Sequence, residues 1–244
     1  PDALPICLGV PSPERTTPHT LADLPEVIRG VDYVGVGVSS AGVEWAASSL
    51  APFLRPDLPL IAVTKGLAVV APGTLRVLPD VFRDALPEPL RSTFCPGAIG
   101  GPCIAGEIAR RVPTAVVFTG RNPDHLRALA AAYSTPYYHV RTSTDLVGVE
   151  VCAALKNAYA VAIGIGAGMH ERSGGKPAPV AFHNFEAAIF AQSCIEMDLV
   201  VRALGGLPSQ VPGLPGAGDL FVTCSGGRSS RLGRLLGLGH PFQE

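Results

Sequence analysis

Near Ser143 this 244-residue chain changes its period. Before that point, short valine-rich apolar runs alternate with stretches of helical spacing. Residues 31–38 (VDYVGVGV), 59–64 (PLIAVT), 98–101, 114–118 (TAVVF) and 137–141 read as strands or strand ends. Residues 41–53, 74–86, 102–111 and 123–132 read as helices. Strands alternating with helices at this spacing build βαβ units, and hence a parallel sheet covered on both faces. After Ser143, residues 147–169 and 181–204 are long helical stretches with no strand between them. A glycine- and proline-rich loop over 205–218 and shorter helical turns complete the chain. The pattern predicts an α/β domain over residues 1–143 and an all-α domain over 144–244. Small-molecule sites commonly form in clefts between two domains.

Composition narrows the class of function. Hydrophobic residues make up 47 % and charged ones 16 %, which excludes disorder and favours a deeply packed fold. A net charge of −1, with no basic run beyond Arg110 and Arg111, offers nothing that would drive nucleic-acid binding. Six cysteines, at 7, 95, 103, 152, 194 and 224, stand singly in apolar surroundings. They read as reduced core residues of a cytoplasmic protein, with neither disulfides nor a metal site. Residues 1–18 carry five prolines, two acidic residues and no long apolar run, unlike a secretory leader.

Within 149–169, VEVCAALKNAYAVAIGIGAGM, Lys156 sits among apolar residues on every face of the predicted helix. Such a helix is buried, and lysine is almost never fully buried unless it is paired or used. Desolvation lowers the pKa of an amine and makes it a general base near neutral pH. An ion pair with Glu150, or snorkelling from the helix end, fits the isolated segment as well. A lysine, a glutamate and an asparagine within one span argue against a membrane helix.

Other motifs are individually weaker. Gly35 and Gly37 lie inside a strand, and Gly164, Gly166 and Gly168 follow a helix, so neither set is a dinucleotide fingerprint. The second set reads as close helix packing or a helix end. Lys65 follows a buried strand, where ligands of open α/β sheets bind, though a lysine there is also an ordinary solvated residue. Gly100-Gly101-Pro102-Cys103 joins a strand to a helix, as an anion site or a plain tight turn. Asp219 follows a glycine loop, as a site carboxylate or a helix N-cap. Gly226-Gly227 presents Arg228, whose planar fork suits phosphate.

In order along the chain, VTKGL (63–67), GPCIAGEIARRVPTAVVF (101–118), GVEVCAALKNAYAVAIG (148–164), GLPGAGDLFVTC (213–224) and GGRSSR (226–231) resemble the NAD(P)-dependent glycerol-3-phosphate dehydrogenases. The resemblance implies a Rossmann-like domain followed by a helical substrate domain. It also implies NAD or NADP as cofactor, and interconversion of sn-glycerol 3-phosphate and dihydroxyacetone phosphate by hydride transfer. By motif, Lys156 corresponds to the catalytic proton acceptor and Asn157 to the asparagine beside it. Lys65 matches the lysine near both cofactor and substrate. Gly101 and Cys103 match a substrate-side turn that usually carries a hydroxyl, and Ala105 a backbone contact to the cofactor. Asp219 and Thr223 match a pair lining the substrate site, and Arg228 the arginine associated with phosphate and cofactor. Ser39 corresponds more loosely to a turn beside the cofactor. Ser229 stands where the family usually has asparagine.

The glycine fingerprint and first βαβ segment expected of the family precede none of these motifs, and its last helices are expected beyond residue 244. The resemblance allows a homodimer and implies a role in glycerophospholipid metabolism. Another two-domain dehydrogenase acting on 3-hydroxyacids, or a noncatalytic phosphometabolite-binding or assembly subunit, are the alternative readings.

Overall fold

The structure, a computed structural model, describes residues 16–174 and 182–242. Seven strands are present among them: β1 (Val34–Val36), β2 (Leu60–Ala62), β3 (Leu67–Ala71), β4 (Thr74–Val77), β5 (Gly97–Gly100), β6 (Thr114–Thr119) and β7 (Tyr138–Ser143). Before and between them come α1 (Leu24–Val27), α2 (Val43–Leu50), α3 (Leu78–Asp84), α4 (Leu90–Thr93), α5 (Ala105–Ala109) and α6 (Pro123–Tyr133). The second half consists of α7 (Leu146–Arg172), α8 (His183–Ala203), α9 (Asp219–Cys224) and α10 (Arg228–Leu238).

The main sheet has the order β1-β2-β5-β6-β7. It is mixed, which corrects the expectation of an all-parallel sheet. β1, β2 and β5 run parallel, whereas β6 lies antiparallel to β5, with Ile99 opposite Phe118. Recrossing a sheet requires a connection long enough to span a strand. α5 has five residues and rises only about 7.5 Å. The chain therefore re-enters from the edge it left.

Residues 74–86 also differ from the single helix expected. Pro72 and Gly73, the latter at φ +75°, close a hairpin between β3 and β4, so the helix begins only at Leu78. Likewise α5 starts at Ala105 rather than residue 102. The expected loop over 205–218 contains a short turn at Pro208–Gln210 and a single π-helical turn at Leu214–Gly218. Of the cysteines, Cys152 is buried, Cys95, Cys194 and Cys224 are half-buried, and Cys103 is exposed. The core reading thus fails for Cys103, and Cys7 lies outside the described residues.

α7 organises the second half. Asp145 caps it by accepting from Gly148 N, and its other oxygen accepts from Leu207 N, each at 2.9 Å, tying the start of α7 to the chain leaving α8. By length and composition alone α7 could cross a membrane. Here it packs against the sheet, α8, α9 and α10. Its core includes Leu146, Val151, Cys152 and Ile163 with Met197, Val201 and Leu220, and extends to Val77 and Ala98 of the sheet half. Gly164 and Gly168 face Gly233 and Gly237 of α10 so closely that a Cβ at any of them would overlap a carbonyl oxygen of the opposite helix. The helix-packing reading of Gly164 and Gly168 holds. This contact fixes where α10 begins relative to α7.

Candidate active site

Three elements bring three charges together. Lys156 lies ten residues into α7, about 15 Å along its axis and two turns beyond Val149, which a Cβ on Gly100 of β5 would overlap. Lys65 follows β2, and Asp219 opens α9 directly after the π-turn, a feature frequent at functional sites. Asp219 is 1 % exposed and accepts from both lysines. The Lys65 ammonium lies 3.0 Å from Oδ2, and Lys156 donates to Oδ1. Lys156 itself is 8 % exposed.

These contacts decide readings that the sequence left open. Lys156 pairs with Asp219, not Glu150, both of whose oxygens lack a hydrogen-bond partner. Lys65 is a bonded residue rather than a solvated one. Asp219 binds lysines instead of capping its helix, the cap position being Gly218.

Burial pulls the Lys156 ammonium from 10.5 to about 8, and the neighbouring Lys65 charge adds to that effect, while Asp219 opposes both. The amine therefore exchanges protons near neutral pH. Cys103 is exposed as a residue, yet desolvation of its thiol against the cleft wall raises its pKa, which leaves it a weak neutral donor.

Lys156 and Asp219 open onto a cleft of about 590 Å³. Of the residues singled out from the sequence, Cys103, Ala105, Asn157, Thr223, Arg228 and Ser229 also line it. Thr223 Oγ1 donates to the Asp219 carbonyl at 2.6 Å, leaving its lone pairs toward the cleft free to accept. Arg228 is exposed at the first position of α10. Lys65, Ser39 and Gly101 are not on the cleft wall, Lys65 reaching it only through its bond to Asp219. Ser39 follows β1, and Gly101 is buried at φ +118°, where a Cβ would crowd Val116 Cα at 3.2 Å. Gly101 therefore shapes the turn through its backbone. Ile104, Val222 and the Gly226-Gly227 pair complete the wall. Sequence reasoning did not single out the first two, because an apolar side chain at a rim has no local signature. A second cavity, about 480 Å³ between α7, α8 and α9, holds none of the expected site residues.

Sequence models of the NAD-dependent glycerol-3-phosphate dehydrogenase N-terminus and C-terminus match residues 12–126 and 145–244. The chain belongs to the NAD-dependent glycerol-3-phosphate dehydrogenase family. It is 33 % identical over 223 residues to glycerol-3-phosphate dehydrogenase (NAD(P)+) of Geobacter metallireducens, covering 91 % of this chain and 62 % of that one. With the NADP(+)-dependent glycerol-3-phosphate dehydrogenase of Archaeoglobus fulgidus the identity is 34 %, over 91 % of this chain and 63 % of the relative. The crystal structure of glycerol-3-phosphate dehydrogenase from Coxiella burnetii superimposes with a TM-score of 0.78 at 29 % identity, over 94 % of this chain and 65 % of that one. The chain thus spans slightly under two thirds of these family members. All five motifs that suggested the family fall within the matched stretches, and the family match displaces the 3-hydroxyacid dehydrogenase alternative.

Proposed function

We propose that the protein interconverts sn-glycerol 3-phosphate and dihydroxyacetone phosphate with NAD or NADP. The observation that carries this reading is one buried carboxylate shared by Lys65 and Lys156 beside a cleft that also presents Arg228.

The residues present fit a phosphate-bearing nucleotide. β1, β2 and β5 run parallel, so their carboxyl ends share one edge of the sheet, the edge at which open α/β sheets bind ligands. Ser39 follows β1, Lys65 follows β2, and Ala105 begins the helix after β5. These residues and Arg228 would hold the cofactor. When bound, the nicotinamide supplies the hydride acceptor.

In oxidation, neutral Lys156 takes the proton of the secondary hydroxyl. In reduction, its ammonium returns a proton to the developing alkoxide. Lys65 polarises that oxygen, Asp219 holds both amines in register, and Arg228 grips the substrate phosphate as a bidentate donor. Asn157, Thr223, Cys103 and the Gly101 turn would complete the substrate wall, with Ser229 in place of a longer amide.

In the same reading, residues 1–143 form the nucleotide domain and 144–244 the substrate domain of a cytoplasmic enzyme serving glycerophospholipid synthesis. Free thiols among the described cysteines support a reducing compartment, and the near-neutral charge supports a small-molecule partner over nucleic acid. The packing of α7 within protein supports a chain without a membrane span, and a homodimer is its proposed assembly.

Lys156→Met is the direct test, because it removes the proton acceptor and keeps the apolar stem. Steady-state turnover should fall by about 10²–10⁴-fold with the fold retained. Activity within a few-fold of the parent would refute the assignment.

A further inference from the structure

Glu150 lies on α7 six residues before Lys156, about 9 Å along the helix axis, with no exposed surface. Neither carboxyl oxygen has a hydrogen-bond partner. An ionised carboxylate in such a place is costly, and burial pushes this one up to about 8, against the pull of the Lys65 ammonium. The elements packed on α7 supply few other charges. β3, β5, β6 and the π-turn carry none, and Arg76 on β4 is tied to Asp84. Asp219 on α9 holds the two lysines. On α8, Glu186 acts on Cys224, Glu196 on Tyr159, and Asp198 pairs with Arg202. On α10, Arg234 pairs with Glu171, while Arg228 and Arg231 lie in its first turn. Lys65 is the charge that reaches Glu150.

We propose that Glu150 is a positioning residue that acts on the reaction through Lys65. Its proton decides whether the Lys65 ammonium is balanced by one carboxylate or by two, and so how strongly Lys65 drives Lys156 toward its neutral form. With Glu150 protonated, the unbalanced part of the Lys65 charge favours the free amine of Lys156. When Glu150 ionises, its negative charge offsets Lys65, and Lys156 holds its proton more tightly. The consequence for turnover rests on the reading of Lys156 as proton acceptor. The titration of Glu150 does not.

Protein labelled with 13C at glutamate Cδ, titrated by NMR, should show one glutamate with a midpoint near 8. That midpoint should move upward in Lys65→Met, which removes the cation favouring the carboxylate. No glutamate titrating above about pH 6, or a midpoint indifferent to Lys65→Met, would overturn the proposal whatever the enzyme's activity. In Glu150→Gln, the rising limb of kcat/KM for glycerol 3-phosphate oxidation should shift to lower pH by roughly half a unit to one unit, and Glu150→Asp should restore it. A profile identical to the parent would overturn it as well. Failure of the dehydrogenase reading would show itself separately, as a parent protein without glycerol 3-phosphate oxidation, and failure of the Lys156 assignment as activity surviving Lys156→Met.

Discussion

Lys65 and Asp219 meet across 154 positions of chain, with the ammonium nitrogen 3.0 Å from Oδ2. The contact joins the loop after β2 to the first residue of α9, and its carboxylate continues to Lys156 on α7. One buried anion therefore holds two amines at the place where the sheet half meets the helical half.

Asp219→Asn should disturb both charge and stability. Removing one partner of a buried ion pair typically costs about 3–5 kcal/mol, since the remaining charge is left uncompensated. The Asp219 charge raises the Lys156 pKa, so its loss should lower that pKa further below 8. Chemical denaturation and a pH profile of glycerol 3-phosphate oxidation measure the two effects. A stable variant with an unmoved rising limb would contradict the shared-carboxylate arrangement.

With Lys156 as the proposed proton acceptor, the two directions of the proposed reaction should titrate oppositely around its pKa of about 8. Oxidation needs the free amine and should rise with pH through that region. Reduction needs the ammonium and should fall over the same range. Initial rates in both directions across pH 6–10 (roughly two units either side) check this, and parallel profiles would exclude Lys156 as the shared group.

Arg228→Ala should weaken use of glycerol 3-phosphate far more than any slow oxidation of glycerol. A charge-assisted hydrogen bond contributes about 1.5–3 kcal/mol, or one to two decades in affinity. The ratio of the two kcat/KM values is the readout. If it stays constant, Arg228 does not contact the phosphate.

Gly233→Ala should separate α10 from α7. The added methyl would occupy the position of the Val161 carbonyl oxygen, and backbone has to move to admit it. Overpacking of this kind costs about 1–3 kcal/mol or more. Because α10 begins with Arg228, the same change should raise KM for glycerol 3-phosphate while leaving the Lys156 titration in place. Melting curves and KM values test both parts.

Stability should fall as pH rises from about 4.5 to about 8, on account of Glu150. The unfolded carboxyl ionises near 4.5 and the folded one keeps its proton to about 8, so the folded state binds the extra proton across that window. Lys156 contributes the opposite slope above it. Its pKa is lowered to about 8 from 10.5, so stability is recovered as pH climbs through that interval. Glu150→Gln should remove the first slope and raise the melting temperature at pH 8.5 by roughly 2–4 °C for each kcal/mol regained. An unchanged dependence of melting temperature on pH would show that Glu150 is ionised in the folded protein.

Much of this molecule could be read from local pattern. Valine-rich runs located β1 and β2, and the helical spacing after Ser143 located α7 and α8 within a few residues, because periodicity records which faces are buried. An apolar helix holding one lysine was enough to mark Lys156 as unusual. The partner of that lysine was not legible. Glu150 was available on the same helix, yet Asp219, 63 positions away, takes the bond, and Glu150 is left without a hydrogen-bond partner. Strand direction behaved similarly. Residues 114–118 announced a strand, but only the length of α5 determined that β6 returns antiparallel to β5. By itself the sequence determined which residues avoid water, a property of each residue and its near neighbours. Which buried charges face one another was decided by the tertiary structure, since that depends on connector lengths and on how closely glycines let α7 and α10 approach.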